Sequence, residues 1–164
     1  MTQPIGRSLI LSTVGVFLFV AVVCACTCGD FGLTWDEPVY RQSQQRAAVW
    51  IRDVFHARSA ADFGFRCDGR TLHYDWVYGR FGINFHPPLA GILNLATYET
   101  FGWVMRDIPA RRMGAVICFA GAVALLFHAM SKRYGVWTGL VSAGCLLLPP
   151  RAFADGQIVA TDAP

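Results

Sequence analysis

Two adjacent carboxylates stand in Trp35-Asp36-Glu37-Pro38, and a histidine precedes two prolines in Phe85-His86-Pro87-Pro88-Leu89. Neighbouring acids near a low-dielectric boundary resist ionising together, which suits one of them to take a proton from an attacking hydroxyl. Pro87 and Pro88 keep His86 out of the helix that follows, so its imidazole is presented at a helix N-terminus, where a phosphate is also favoured. Each motif has a plain alternative: Asp36 or Glu37 caps the helix that Pro38 begins, and His86 is a cap or a packed side chain. Arg111 and Arg112 offer planar forks that bind phosphate oxygens, or else serve as interfacial anchors to lipid headgroups.

The elements that must position these residues are apolar. The chain has 164 residues, 54% hydrophobic and 15% charged, with a mean hydropathy of +0.40, against about 25% charged residues in soluble domains. Nineteen of its charged residues fall between Asp30 and Arg112. This is the pattern of an all-α integral membrane protein with one polar loop. Ser8 to Cys28 is a 21-residue uncharged stretch, roughly 31 Å as a helix and so the depth of a hydrocarbon core. Two further spans are expected at 113–130 and 134–150, the last of them ended or bent by Pro149 and Pro150 near Leu148. A cleaved signal peptide over 1–28 is a rival for the first stretch.

Arg7 and the pair Lys132-Arg133 are best left in the cytoplasm, which puts the loop 29–112 outside. Within that loop, 38–58 carries Tyr40, Ala47, Trp50, Ile51, Val54 and Phe55 at helical spacing, and 87–103 carries Leu89, Ile92, Leu93 and Ala96 on one stripe. Both are expected to be juxtamembrane amphipathic helices. The stretch 59–85 between them reads as a loop. Five of the six cysteines lie in or beside spans, and residues two apart on a helix face different ways, so Cys24-x-Cys26-x-Cys28 reads as helix filler and not as a metal site. No nucleotide-binding glycine motif is present, and nucleic acid is not an expected partner. Transport would need ionisable groups in mid-span, and only His128 comes near.

Taken in order, these motifs resemble the membrane glycosyltransferases of the GT-C type, in the group of protein O-mannosyltransferases and lipid A aminoarabinose transferases. The resemblance rests on Trp35-Asp36-Glu37-Pro38, on His86-Pro87-Pro88-Leu89, on Arg111-Arg112-Met113, and on Pro150-Arg151-Ala152-Phe153 followed by Ala160-Thr161-Asp162-Ala163-Pro164. It implies a multi-pass plasma (inner) membrane enzyme moving a sugar from a polyprenyl-phosphate donor to a hydroxyl of a protein, lipid or glycan acceptor at the outer face. Asp36 then matches the catalytic carboxylate and Glu37 its neighbour in the acceptor site. His86, Arg111 or Arg112, and Arg151 match positions near the donor phosphate, and Asp162 the acid after the third span.

The same resemblance implies eleven or more spans in a complete enzyme, so the chain is expected to be its N-terminal part, 1–164 forming one piece of the membrane domain. Phe85 stands where the aminoarabinose transferases have an acid before Lys-Pro-Pro, and no metal site or other cofactor is expected. A rival class is a non-catalytic membrane protein, truncated or accessory, that binds lipid or a partner through the loop.

Overall fold

The computed structural model describes residues 6–32, 37–70 and 88–158, which are all-helical. Among them run α1 (Gly6–Thr27), α2 (Glu37–Phe55), α3 (Ala60–Arg66), α4 (Pro88–Phe101), α5 (Asp107–Tyr134), α6 (Val136–Leu147) and α7 (Pro150–Asp155). They gather into two compact units, one from Met1–Gly32 with Ala115–Ile158 and the other from Leu33–Gly114. Residues 107–114 of α5 belong to the second unit and the rest of that helix to the first.

In the first unit α1 and α5 have 22 and 28 residues and are each long and apolar enough to cross a membrane. A signal sequence, which α1 resembles in its position, or a core helix meets the same criterion. Val20 and Cys24 of α1 and Cys28 just past its end repeat every four residues and are buried, while Leu11, Leu18, Phe19 and Val22 stay exposed. Cys26 is exposed, so the three cysteines do not converge. Val116, Ala120, Val123 and Phe127 make the buried face of α5. Polar side chains within these helices find local partners: Thr13 Oγ1 donates to the Leu9 carbonyl at 2.8 Å and lies 3.0 Å from Nδ1 of His128. With the hydroxyl proton on Leu9, the imidazole must present Nδ1–H to Thr13.

The third expected span is shorter than the sequence suggests. α6 has 12 residues, about 18 Å of rise against a hydrocarbon core of about 30 Å. Its limits are Gly135 at φ 95° and Leu148 as C-cap, with Pro150 opening α7. Lys132 and Arg133 sit in the last turn of α5, not in the connection, and Gly135 is the whole link. Cations there complement the carbonyl end of the helix dipole. α6 crosses close to α5 at Gly139, where an added Cβ would lie 2.8 Å from the Phe127 carbonyl and against Ser131 Oγ. α7 packs on α6, and Gln157 just beyond it is fully buried, accepting from Thr27 Oγ1 at 2.7 Å and donating to the Phe153 carbonyl at 3.0 Å.

In the second unit α2 packs against α4 and α3. α2 and α4 cover the expected stretches 38–58 and 87–103 with ends shifted by one to three residues. On α4, Asn94, Leu95 and Thr97 are buried, whereas Ile92 and Ala96 of the apolar stripe are exposed. Thr97 tolerates burial because its hydroxyl donates to the Asn94 carbonyl at 3.1 Å. Phe55, at the end of α2, is 85% exposed. α3 occupies part of the expected loop, capped by Ser59 Oγ, which accepts from the Asp62 amide at 3.1 Å. It is tied to α2 by Trp50 Nε1, which donates to the Arg66 carbonyl at 2.8 Å, and by Arg66 with Asp53 at 2.9 Å.

Candidate functional site

The chemistry-bearing residues that the structure gathers lie in the second unit, between α2, α4 and the first turns of α5. Glu37 is the first residue of α2, with Pro38 behind it in the position where a missing N–H costs nothing. Its Oε1 accepts from Arg112 Nε and its Oε2 from Arg112 Nη2, both at 2.7 Å, and the two side chains are 6% and 0% exposed. Two parallel charge-assisted bonds in a dry setting form a strong, directional contact. They also set an opposite charge against a guanidinium that the fold buries completely.

Arg111 and Arg112 are adjacent yet do different things. Arg111 is also buried, its side chain 9% exposed. Nε donates to Asp107 Oδ1 at 3.1 Å, Nη1 donates to Gln44 Oε1 at 2.9 Å, and the guanidinium carbon stands 3.9 Å from the centre of the Tyr98 ring. The far oxygen of Asp107 takes Arg41 Nη2 at 3.1 Å. Beside this group is a cavity of about 320 Å³ lined by Glu37, Pro38, Arg41, Gln44, Asp107, Ile108 and Arg111. Neither Arg111 nor Arg112 is the exposed head that an interfacial anchor would show.

Asp36, His86 and Asp162 lie outside the described residues, so the acid pair is represented by Glu37 alone and the His-Pro-Pro-Leu motif by Pro88 and Leu89 at the start of α4. Arg151 belongs to the first unit, where it is 87% exposed and 3.5 Å from Asp155. Among the described residues no group of three or more His, Cys, Asp or Glu side chains converges as a metal site would require.

Sequence reasoning passed over Arg41, Gln44, Tyr98 and Asp107. Gln44 is 2% exposed although amides are ordinarily surface residues. The only signals available were local: Arg41 and Gln44 are three apart on α2, and Asp107 and Arg111 four apart on α5, both spacings that share a helix face. The arrangement supplies a fixed guanidinium on the wall of an apolar-floored cavity, next to an acid motif whose second member is locked. Comparisons with protein-family models, with curated proteins and with solved structures return no match to this chain.

Proposed function

We propose that the chain is the N-terminal part of a GT-C-type membrane glycosyltransferase that moves a sugar from a polyprenyl-phosphate donor to an acceptor hydroxyl at the outer face of the plasma membrane. The observation that supports it is the Glu37–Arg112 pair, which joins two of the motifs of the resemblance, the acid pair and the double arginine, across 75 residues of chain. In the reaction Asp36 accepts the proton of the acceptor hydroxyl as its oxygen attacks the anomeric carbon. The bond from that carbon to the phosphate oxygen breaks, its electrons stay on the phosphate, and the configuration inverts. Glu37, both of whose oxygens accept from Arg112, holds the first turn of α2 and does not exchange protons.

Negative charge grows on the leaving phosphate, and a cation fixed beforehand lowers that barrier more than it tightens ground-state binding. Arg111 suits this role; that His86, Arg151 and Asp162 also serve the site is what the resemblance implies. α1 and α5 anchor the chain in the bilayer.

Membranes from cells making the full-length enzyme of which this chain is the N-terminal part, supplied with radiolabelled polyprenyl-phosphate mannose or aminoarabinose, test this. Label is expected to reach an acceptor, and Asp36→Asn is expected to abolish transfer while the protein stays in the membrane fraction. The amide keeps the shape and can still cap a helix, but it accepts no proton at neutral pH. Undiminished transfer by the Asn variant would return Asp36 to a capping role, and absence of transfer by the unaltered membranes from every such donor would overturn the assignment.

A further inference from the structure

We propose that α3 is an interfacial foot, a short helix whose outer surface enters the boundary between headgroups and acyl chains of a bilayer that carries anionic lipid. This role rests on the membrane setting of the function proposed above and not on sugar transfer. α3 belongs to none of the motifs that suggested that function.

The amphipathicity of α3 is reversed for a helix facing water. Asp62 and Arg66, one turn apart, form the edge turned to α2, where Arg66 pairs with Asp62 at 3.0 Å and with Asp53 of α2 at 2.9 Å. Ala60, Ala61, Phe63, Gly64 and Phe65 are all exposed. At 3.6 residues per turn, Phe63 and Phe65 fall on the two flanks of the paired edge, and the small residues fall on the outer side. The two rings are 50% and 70% exposed, and a Cβ added at Gly64 would meet nothing within 4 Å. A helix on an aqueous surface buries its apolar residues and shows its charges. Here the one charged residue between Ser59 and Phe65, Asp62, is on the paired edge. Phe55, at the corner where α2 gives way to α3, adds a third ring at 85% exposure. The helix is fixed in this attitude by the Ser59 cap and by Trp50 Nε1, which donates to the Arg66 carbonyl.

The rim selects the occupant. From Arg52 to Arg70 the chain has four arginines and three aspartates. Arg66 takes Asp53 and Asp62, which leaves Arg52, Arg58 and Arg70, all exposed, against Asp68. Rings framed by arginines match acyl chains beneath anionic headgroups, because the aliphatic stems follow the rings inward while the guanidiniums stay at the level of the phosphates. Phenyl rings at these exposures offer roughly 400 Å² of apolar surface, about half of what each partner buries in a stable protein interface. A second copy therefore gains too little from this face alone. A lipid surface needs less, since the chain also carries α1 and α5, long and apolar enough to cross a membrane, and a tethered segment inserts at high effective concentration.

The test uses the full chain, its native cysteines replaced, in phosphatidylcholine vesicles with or without phosphatidylglycerol. A nitrobenzoxadiazole dye on Ala61→Cys reports on α3 with its rings in place, and the same dye on Leu18→Cys, at an exposed position of α1, reports on embedding. The Ala61 dye is expected to be quenched by lipids with a nitroxide near the headgroup, less by lipids with one near the chain end, and more strongly when phosphatidylglycerol is present. Phe63→Ser with Phe65→Ser should abolish that quenching, and since both rings are exposed the fold is kept. Arg58→Gln and Arg70→Gln should each lower the ratio of inserted to free α3 about fivefold in the anionic vesicles. A quenched Leu18 dye beside an unquenched Ala61 dye overturns the foot alone, and two unquenched dyes overturn the membrane setting with it. Quenching that survives loss of both rings also overturns the foot. A blue shift of the Ala61 dye that grows with the protein-to-lipid ratio, without nitroxide quenching, gives the face to a second copy and overturns it too. Insertion of α3 in a protein that transfers no sugar would sink the enzyme assignment and leave the foot.

Discussion

Arg112 and Glu37 stand 75 positions apart in the chain and meet through two hydrogen bonds of 2.7 Å, in a place where the guanidinium has no exposure at all. The contact fixes the first turn of α2 against the second turn of α5. Breaking one side of such a pair leaves the other charge buried, typically at about 3–5 kcal/mol, whereas replacing both by apolar residues of similar volume is often close to neutral. Glu37→Gln and Arg112→Met are therefore expected each to lower the melting temperature of the detergent-solubilised protein sharply. The double substitution Glu37→Leu with Arg112→Met should lose less than the sum of the single changes. Strict additivity in a double-mutant cycle would mean that the two residues are not coupled.

Lysine should separate the two arginines by what is lost. Arg112→Lys gives up one of the two parallel bonds to Glu37 and is expected to cost stability. Arg111→Lys is expected to leave the fold in place and lower sugar transfer at least about tenfold, or about 1.4 kcal/mol of barrier, since lysine keeps the charge but cannot hold Asp107, Gln44 and a phosphate together. Melting curves and single-turnover transfer on the same two preparations check this; equal, mild effects of both substitutions on both readouts would speak for two plain anchors.

Two glycines in the same hairpin should respond in opposite directions. At Gly139 an added Cβ would meet the Phe127 carbonyl at 2.8 Å, while at Gly121 it would meet nothing within 4 Å. Gly121→Ala removes backbone freedom from the unfolded chain and should stabilise by up to about 1 kcal/mol. Gly139→Ala must push α6 away from α5 and should destabilise by about 1–3 kcal/mol in spite of the better helix former. Thermal melts of the two variants decide it.

Sidedness can be read chemically. In a background with the six native cysteines replaced, Arg58→Cys, at an exposed position before α3, is expected to react with an impermeant maleimide from outside intact cells. Lys132→Cys, exposed in the last turn of α5, should react only after the membrane is opened. The reverse pattern would invert the topology drawn from the distribution of Lys and Arg in short loops.

Hydropathy located the long helices well because it is a local property. The uncharged run from Ser8 to Cys28 became α1 with its ends moved by one or two residues, and Pro149-Pro150 stopped α6 at the expected place. Pairing over distance was not legible. Arg111 and Arg112 read as the polar edge of a span because charge is normally paired with water, but α5 starts at Asp107 and both lie inside it, covered by α2 and α4 partners. Gln44 was invisible for the same reason, since nothing near it in sequence says that Arg111 will accept its company. The covered side of α4 was not legible either: Gly114 of α5 comes so close to Asn94 that the side bearing Asn94, Leu95 and Thr97 is covered, while Ile92 and Ala96 stay exposed.

Gly135 has a consequence for biosynthesis. In a cell that delivers this chain to a membrane, α6 leaves the ribosome as a 12-residue apolar segment, too short at about 18 Å to partition across the bilayer unaided. A single residue in a left-handed turn joins it to α5, so the translocation channel receives the two as one folded-back hairpin. The timing of its release into lipid is then governed by the combined hydropathy of both limbs, and lengthening the Gly135 turn by a few residues would uncouple them and strand α6 at the membrane surface.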